Sequence, residues 1–399
     1  MAVSEVIVIG GGVLGLSTAY QLAQRGVSRI TLLEKGAIGH GSSIRAAGIG
    51  THLLWSETGV RTRKRAFELY EQFSAEWDDY TFHSEHGCLN LFTQNDWSGR
   101  EPLLPLYDRL DVPYEVLSGD EIHRRWPALT PPSDFVGLYD PRGGYSEPDE
   151  YVAALVARVR DLGVRVIEGA TVLGFEKAGD RVAGVRTAEQ SFHADAVVST
   201  VHAWSLPLLN ELGISLPIKH FVHQRYVTVP QPNPHMAPPV NADPYCGYVR
   251  PAAGNRLLMG VETPLREEQR VNRFDFRMSD LETPSSVREE GRQNCQQLVP
   301  ALQDARWESE QVGLICFTVD GEPVLGEAPG AAGLFIAAAF HSGGFSYNSV
   351  VGELMADLVV KGESWLDLAP FSPSRFDMES TYDYLLSTVQ QAQAVRRRH

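Results

Sequence analysis

Apolar residues near the N-terminus are spaced first as a strand, then as a helix, then as a strand again. Val6 to Ile9 is an apolar run of β-branched residues, which is typical of a buried parallel strand. Apolar positions then recur at helical spacing up to Gly26, a helix-stopping residue, and a second apolar strand follows. The members of these two elements are Leu16, Ala19, Leu22 and Ala23, then Arg29 to Leu33. The order predicts a strand–helix–strand unit.

A glycine-rich turn joins the first strand to the helix. It carries the pattern G-x-G-x-x-G, and an acid stands at the end of the second strand: Gly10, Gly12, Val13, Leu14 and Gly15, then Glu34. The glycines permit a tight turn, let a pyrophosphate approach the backbone and let the helix pack on the strand, and the acid can bind both ribose hydroxyls. The motif predicts binding of an ADP moiety but does not separate NAD from FAD. A glycine turn without a ligand is the alternative.

The middle of the chain mixes helical stripes with short strand patterns. Helical patterns cover residues 62–77, part of 98–117, 148–162 and 281–298. Strand patterns cover residues 86–92, 164–167, 172–175, 181–187, 194–200, 217–229, 245–250 and 256–261. The last two resemble a hairpin, and the Pro- and Asn-rich residues 231–244 predict a loop. These runs predict a β-rich domain inserted into a nucleotide-binding fold.

A second strand–glycine–helix element lies near the end of the chain. Residues 334–339 form an apolar strand, the turn runs from His341 through Ser342, Gly343 and Gly344 to Phe345, and residues 347–361 form a helix. The N-terminus of such a helix carries partial positive charge and exposed N–H groups. It suits a ring system that acquires negative charge, and another plain glycine turn is the alternative.

The loop after Glu34 is made of small residues. Between Lys35 and Gly48 it contains Ser42, Ser43, Arg45, Ala46 and Ala47, and Arg45 is the strong cation of its later part. Backbone amides and hydroxyls here can line a diphosphate, and a flexible surface connection is the open alternative.

The chain has 399 residues, a formal net charge of −15 and a sequence pI of about 5.3. This balance argues against a nucleic-acid partner and against binding an anionic membrane by charge. The four cysteines, at 88, 246, 295 and 316, show neither metal nor disulfide spacing, and they predict reduced thiols. No signal peptide is visible and no apolar run reaches the ~18 residues of a membrane span. We therefore expect a cytoplasmic protein without a metal site, with a solvated basic tail from Arg396 to His399.

Several stretches together make the chain resemble the D-amino-acid-oxidase-type flavoprotein family, which includes glycine oxidase, sarcosine oxidase and dimethylglycine-type oxidoreductases. They are the fingerprint ending at Glu34, the run from Gly41 to Gly48, the strand 194–198 with Ala203-Trp204, the D-G-x-P-x-x-G run from Asp320 to Gly326, and residues 340–345 with the V-G-E-L of 351–354. The D-G-x-P-x-x-G run followed by G-G-F and V-G-E-L is the most specific of these.

The resemblance implies an α/β fold in which a Rossmann-like FAD-binding domain carries an inserted α+β substrate domain dominated by an antiparallel sheet. The FAD-binding domain would comprise residues 1–85, 145–215 and 325–375, the substrate domain 86–144 and 216–324, and a C-terminal helix or tail 376–399. Beyond the fingerprint, the implied FAD contacts are Lys35, Ser42, Ser43, Arg45, Ala46, Ala47, Gly48, Val172, Trp204, Gly343, Gly344, Phe345 and Ser346.

The implied chemistry is hydride transfer from the carbon next to an amine nitrogen to flavin N5. The imine then hydrolyses, and O2 re-oxidises the flavin to give H2O2. The expected substrate is a secondary amine or an N-substituted glycine or other amino acid. A dehydrogenase of amino or hydroxy acids with another electron acceptor, and a FAD-bearing subunit of a hetero-oligomeric oxidase, remain as alternatives. A flavin monooxygenase is disfavoured because no second nucleotide motif is visible.

The chain departs from the family where relatives hold a substrate carboxylate. Ile315 follows Gly313-Leu314 where glycine-oxidase-like members place an Arg soon after Gly-Leu. Ser346 replaces a Lys of the monomeric sarcosine oxidases, and Gly48 replaces their second loop Arg. Substitutes can come from the substrate domain, whose candidates are Arg250, Lys219, His220, His223 and Arg225, each with a structural role as the alternative.

Four residues are the predicted catalytic set: Tyr248, which matches an active-site Tyr of the sarcosine oxidases, His341, Arg45 and Arg250. His341 is either a cation that aids oxygen reactivity or a structural residue. Some relatives tether FAD through a Cys seven residues before the Asp of D-G-x-P, where this chain has Gly313. Cys316 lies only four residues before Asp320, so non-covalent FAD is favoured.

Overall fold

The fold comes from a computed structural model that describes residues 3–233, 236–262, 268–341 and 343–389. Ser342 of the predicted second turn lies outside the described residues, as do Pro234 and His235 of the predicted loop and the basic tail from Arg396 to His399. None of the helices within those ranges combines the length and apolar character that crossing a bilayer requires.

Short strands and helices alternate along the chain. The strands are β1 (Glu5–Ile9), β2 (Arg29–Glu34), β3 (Ile49–Gly50), β4 (Phe82–His83), β5 (Cys88–Phe92), β6 (Glu115–Ser118), β7 (Val136–Asp140), β8 (Gly144–Ser146), β9 (Arg165–Glu168), β10 (Gly174–Ala178), β11 (Arg181–Arg186), β12 (Ser191–His193), β13 (Ala196–Ser199), β14 (Ile218–Thr228), β15 (Val240–Ala242), β16 (Gly247–Ala252), β17 (Arg256–Val261), β18 (Trp307–Thr318), β19 (Val324–Glu327) and β20 (Leu334–Ala338). The α-helices are α1 (Val13–Gln24), α2 (Glu57–Glu76), α3 (Gln94–Arg100), α4 (Leu104–Arg109), α5 (Gly119–Arg125), α6 (Pro148–Asp161), α7 (Ser205–Leu209), α8 (Ser285–Cys295), α9 (Gly344–Lys361) and α10 (Met378–Leu386).

The first glycine turn belongs to a six-stranded sheet with the order β19-β20-β13-β1-β2-β9. Its neighbours are parallel except for β19, which is antiparallel to β20. Strand β1 is central and buried, as its β-branched run predicts. The turns that follow β1, β13 and β20 all open at the carboxyl edge of the sheet, where ligands of this sheet type bind.

Helix α9 lies so close to α1 that no side chain fits at Gly352. A Cβ there would be 2.5 Å from the backbone carbon and oxygen of Ser17. The Ser17 hydroxyl donates to Asn348 Oδ1 at 2.5 Å, and the Tyr151 hydroxyl of α6 donates to the same oxygen at 2.9 Å. Asn348 also donates to the carbonyl of Phe345 in the first turn of α9. The contact therefore fixes the start of α9 against the helix that follows the first glycine turn.

The second large sheet has the order β18-β14-β17-β16-β15-β5-β7-β6 and is antiparallel except between β15 and β5. The predicted α/β fold with an inserted, mainly antiparallel sheet is confirmed. Strand β18 was not predicted, because its first half is polar and partly exposed at the sheet edge. Strand β15 lies inside the predicted loop 231–244, since three paired residues leave no readable pattern.

Several element boundaries differ from the sequence prediction. Helix α2 begins at Glu57 rather than 62, because the Ser56 hydroxyl accepts from Gly59 N at 3.1 Å and caps it. Helix α8 covers Ser285–Cys295 rather than 281–298, and it begins directly after Pro284. Val172 precedes β10, which begins at Gly174, and so is not a strand residue.

The close contact of α1 and α9 makes a stability prediction. We expect Gly352→Ala to lower the free energy of unfolding by about 1–3 kcal/mol, because its methyl group overlaps the Ser17 backbone. Thermal unfolding of the FAD-loaded protein measures the loss. Gly99→Ala in α3 is the matched control, since a Cβ there meets nothing within 4 Å and improves helix propensity. Equal free energies of unfolding for the two variants would contradict the prediction that the close contact at Gly352 excludes a side chain.

Candidate active site

A cavity of about 580 Å³ lies where the two glycine turns meet. Gly10 and Gly12 line it from the first turn, and Gly343 and Gly344 line it from the second. The loop after Glu34 and the second large sheet also contribute to its wall. Two turns more than 300 residues apart in sequence thus face one space.

The first turn is built by close backbone approach. Gly10 has φ +103°, and a Cβ on Gly15 would lie 1.9 Å from the Gly10 carbonyl oxygen, so the third glycine of the motif serves packing rather than the cavity wall. At the start of α1, the Val13 amide donates to the Ser43 hydroxyl at 3.0 Å. Ser43 therefore brings the small-residue loop onto the positive end of the helix.

Glu34 is held by the backbone beside this turn. Its carboxylate accepts from Gly11 N and from Gly36 N, both at 2.8 Å, and it lines the cavity together with Val172. A carboxylate fixed in this way still has lone pairs for further hydrogen bonds. Glu34 can therefore accept further hydrogen bonds from a ligand in the cavity.

Lys35 and Trp204 form the neighbouring wall. The Lys35 ammonium donates to the carbonyls of Phe274 at 3.0 Å and Phe276 at 2.6 Å, and it lies 3.9 Å above the Trp204 ring. Burial lowers the pKa of Lys35. Trp204 Nε1 is buried without a hydrogen-bond partner, as is Arg45 Nε across the same cavity. Two orphaned donors in one cavity indicate that a polar ligand belongs there.

The predicted loop is shaped around Arg45. Ser43–Arg45 is a short 3-10 helix, and Arg45 Nη1 donates back to the carbonyls of Gly41, at 2.7 Å, and His40. Ser42 donates to Leu314 O at 3.2 Å. Ala46, Ala47 and Gly48 continue the cavity wall. The loop is thus held by its own carbonyls rather than lying loose on the surface.

Arg250, predicted as a catalytic residue, does not line the cavity. It is fully buried and donates to the Ala47 carbonyl at 2.6 Å, to Pro251 O at 2.6 Å, and to both oxygens of Glu147 at 3.0 and 2.8 Å. Burial would raise the pKa of Glu147, but hydrogen bonds from Arg250 and its charge hold it below its usual value. With its donors occupied, Arg250 positions the loop instead.

The other substrate-domain candidates are either engaged in structural contacts or lie at the cavity. Arg225 donates to Ile44 O at 2.5 Å and Arg45 O at 3.1 Å, and Lys219 is ion-paired with Glu268. His220 is buried, and burial lowers its pKa to about 3. Of the five candidates only His223 lines the cavity.

Tyr248 and His223 form a pair on the cavity wall. His223 Nε2 and the Tyr248 hydroxyl are 2.7 Å apart, and the two rings stack at 5.5 Å with an interplanar angle of 18°. Burial raises the pKa of Tyr248, against the opposing charges of Arg225 and Arg250. The phenol therefore stays protonated at neutral pH and can donate one hydrogen bond.

The second turn places His341 at the cavity in a left-handed conformation, with φ +43°. The Gly343 amide donates to its Nδ1 at 3.3 Å, which orients the ring. Phe345 lines the cavity, but Ser346 does not, because its hydroxyl donates to Ile49 O at 2.5 Å.

Cys316 is buried and does not line the cavity, whereas Gly313, Leu314 and Ile315 do. Burial raises the pKa of Cys316, which suppresses the thiolate that any covalent attachment would need.

The sequence analysis missed several polar cavity residues, among them Thr51, Arg63, Asn241 and Glu262. For Arg63 a signal existed. It precedes Ala66 by three residues and Tyr70 by seven, so a strong cation lies on the buried stripe of α2. The other three carried no local pattern.

The parallel sheet, its two glycine turns and the cavity that they share are typical of an enzyme that binds a dinucleotide. The family described as "DAO: FAD dependent oxidoreductase" matches residues 5–358, and the chain belongs to this family. FAD is its cofactor, and the two orphaned donors and the Glu34 carboxylate fit that group.

Several relatives act on amines or amino acids. A glycine oxidase of Geobacillus kaustophilus is 30% identical over 383 residues, covering 93% of this chain and 97% of that protein. A sarcosine oxidase subunit beta of an Arthrobacter species is 27% identical over 94% of this chain and 91% of its own length. A 4-methylaminobutanoate oxidase (formaldehyde-forming) of Paenarthrobacter nicotinovorans is 29% identical over 93% of this chain, which spans only 45% of that protein.

Among solved structures, an L-proline dehydrogenase from P. horikoshii superposes with a TM-score of 0.85 at 26% identity, over 94% of this chain and 98% of that one. The protein is thus an FAD-dependent oxidoreductase of the class that acts on amines and amino acids.

The Glu34 geometry makes a binding prediction. We expect Glu34→Ala to raise the Kd for FAD about 10- to 100-fold, because it removes charge-assisted hydrogen bonds worth about 1.5–3 kcal/mol. Flavin fluorescence quenching on titration of the apoprotein measures it. Glu5→Ala, which removes only an exposed pair with Arg29, is the control. Unchanged affinity in Glu34→Ala would remove Glu34 from the FAD site.

Proposed function

We propose that the protein is an FAD-dependent oxidase of a secondary amine or of an N-substituted glycine or other amino acid. Bound FAD would supply the hydride acceptor, N5, for the carbon next to the nitrogen, and the resulting imine would hydrolyse to a carbonyl compound and an amine. The two electrons would then pass to O2, which would take up two protons and leave as H2O2. The observation that carries the proposal is the single cavity shared by both glycine turns and by Tyr248.

The chain's own residues would divide the work along the cavity. We assign Glu34 to the ribose, and Ser42, Ser43 and Arg45 to the diphosphate. The amides of Gly343 and Gly344, at the positive N-terminus of α9, would face the pyrimidine edge of the flavin. These groups orient the cofactor, and the hydride chemistry is the cofactor's own.

On the substrate side, Tyr248 and His223 offer one hydrogen-bond network near the reacting amine. The Tyr248 hydroxyl is neutral, so it orients rather than removes a proton. An amine that enters this largely apolar space is favoured in its neutral form, because burial disfavours charge. No strong base is then required.

We place the domain boundaries at residues 1–85, 145–215 and 325–375 for the FAD-binding domain, and at 86–144 and 216–324 for the substrate domain. The six-stranded and eight-stranded sheets support this division.

A dehydrogenase that passes electrons to a carrier is the second candidate. The structural likeness to an L-proline dehydrogenase favours it, and the likeness to a sarcosine oxidase subunit beta favours a role as one subunit of a larger oxidase.

An amine panel tests the proposal. Purified holoprotein is given glycine, N-methylglycine, N-carboxymethyl amino acids, proline and a 2-hydroxy acid, and aerobic H2O2 release is measured beside anaerobic bleaching of the flavin absorbance. We expect a secondary amine to give both signals, with FAD-free protein as the control. Bleaching without H2O2 would indicate the dehydrogenase, and bleaching by the hydroxy acid alone would contradict an amine oxidase.

The position of Cys316 predicts non-covalent FAD. Acid precipitation should release the flavin into the supernatant, because the buried thiol is outside the cavity and mostly protonated. Absorbance at visible wavelengths in pellet and supernatant measures the outcome. Flavin retained in the washed pellet would show a covalent bond.

A further inference from the structure

We infer that Arg63 is the residue that binds the carboxylate of an amino-acid substrate. This rests on the proposed function, and it answers the question that the missing family clamps at Gly48, Ile315 and Ser346 leave open. Arg63 lies in the first half of α2, is 3% exposed and lines the cavity.

Arg63 has no acidic partner among the residues that the structure describes. It makes none of the ion pairs found there, and its Nε is buried without a hydrogen bond. Its guanidinium carbon lies 4.2 Å from the centre of the Tyr347 ring. Burial raises the pKa of that phenol to about 12, so Tyr347 is neutral and does not balance the charge. A buried cation without a counter-ion is costly, and an anionic ligand would remove the cost.

Asp140, a fully buried carboxylate, is already occupied by other partners. Asp140 Oδ2 accepts from the Thr51 hydroxyl at 2.9 Å and from the His52 amide at 2.6 Å, and it lies 3.0 Å from His52 Nδ1. Its Oδ1 accepts from Arg142 N at 3.0 Å. These contacts account for both oxygens of Asp140, and it forms no ion pair with Arg63.

Arg63 reaches the part of the cavity that the second turn forms. A Cβ on Gly343 would lie 2.9 Å from Arg63 Nη2 and 3.0 Å from His341 Cε1, so guanidinium and imidazole flank the same glycine. Ser346, at the family's Lys position, borders Gly50 on this wall, since a Cβ on Gly50 would lie 3.3 Å from its hydroxyl. A cation from α2 thus lies beside the wall where relatives place one from α9.

The other cationic side chains at or near the cavity either bind protein groups or are exposed to solvent. Lys35 and Arg45 donate to backbone carbonyls, and Arg277 is exposed to solvent. Arg225 and Arg250 hold the loop through its carbonyls. Among the described residues, Arg63 is therefore the buried cavity cation that neither forms an ion pair nor donates a hydrogen bond to a backbone carbonyl.

Binding of two inert probes tests the inference. Methoxyacetate carries the carboxylate of an N-methylglycine-like substrate with an ether in place of the amine, and methoxyacetamide is its uncharged counterpart. Perturbation of the flavin absorbance of the holoenzyme reports each Kd. We expect Arg63→Met to raise the Kd of methoxyacetate about 10- to 100-fold and to leave that of methoxyacetamide within about twofold. Arg63→Lys should restore part of the affinity, because the charge remains without the bidentate fork.

Arg61→Met is the matched control, since Arg61 lies on the same helix, exposed and paired with Glu57. FAD content and the thermal midpoint are measured for every variant, and Arg63→Lys carries the test if Arg63→Met does not fold. Equal weakening of both probes, or unchanged methoxyacetate binding, would overturn the inference.

A role toward the flavin itself gives a different signature. If Arg63 served the pyrimidine edge, Arg63→Met would weaken sulfite binding to the flavin and lower its reduction potential while methoxyacetate binding stayed unchanged, which would also overturn the inference. Because the probes are not oxidised, the result does not depend on turnover. A chain that oxidises no amine but binds methoxyacetate through Arg63 would refute only the proposed function.

Discussion

The contact between α1 and α9 is the constraint on which the site depends. Gly352 lets the two helices approach until Ser17 and Asn348 share a hydrogen bond, and Asn348 also holds the first turn of α9. Each glycine turn immediately precedes one of these helices. Two helix N-termini, each with its partial positive charge, are therefore presented to one cavity from elements at opposite ends of the chain. A bulkier residue at the crossing would separate the turns before it disturbed either one.

Both turns were predictable because each is a local pattern: an apolar strand, glycines and a helical stripe within about 30 residues. That they face each other followed only from the family resemblance. The long strand β18 was missed, since its outer half is polar, and its pairing with β14 spans about 90 residues of sequence. The local hydrophobic pattern predicts which face of an element is buried. It does not predict a distant partner strand that contributes hydrogen bonds rather than apolar contacts.

The candidate cationic residues show more clearly that a local sequence pattern does not reveal a distant partner. Sequence reasoning placed Arg250 among the catalytic residues, because the substrate sheet was the expected source of a carboxylate ligand. Glu147, which neutralises it, is 103 residues away and carries no signal of its own. Conversely, Arg63 was passed over as part of a helix whose stripe looked like core. Whether an arginine is structural or available depends on a distant counter-ion, and one sequence does not reveal that distance.

The loop after Glu34 depends on how the substrate sheet uses its arginines. Arg225 and Arg250 donate hydrogen bonds to the carbonyls of Ile44, Arg45 and Ala47. Their guanidinium groups therefore stabilise the conformation of the loop that borders the cofactor. In each of these peptides the N–H group points away from the carbonyl. When the carbonyl faces a guanidinium, the N–H is therefore turned toward other partners. Positive charge in this fold therefore acts in two ways: indirectly, by orienting backbone dipoles around the dinucleotide, and directly, where a guanidinium is left without an anion. A buried guanidinium without an anion costs desolvation free energy, and this cost is tolerated where a bound ligand supplies the negative charge.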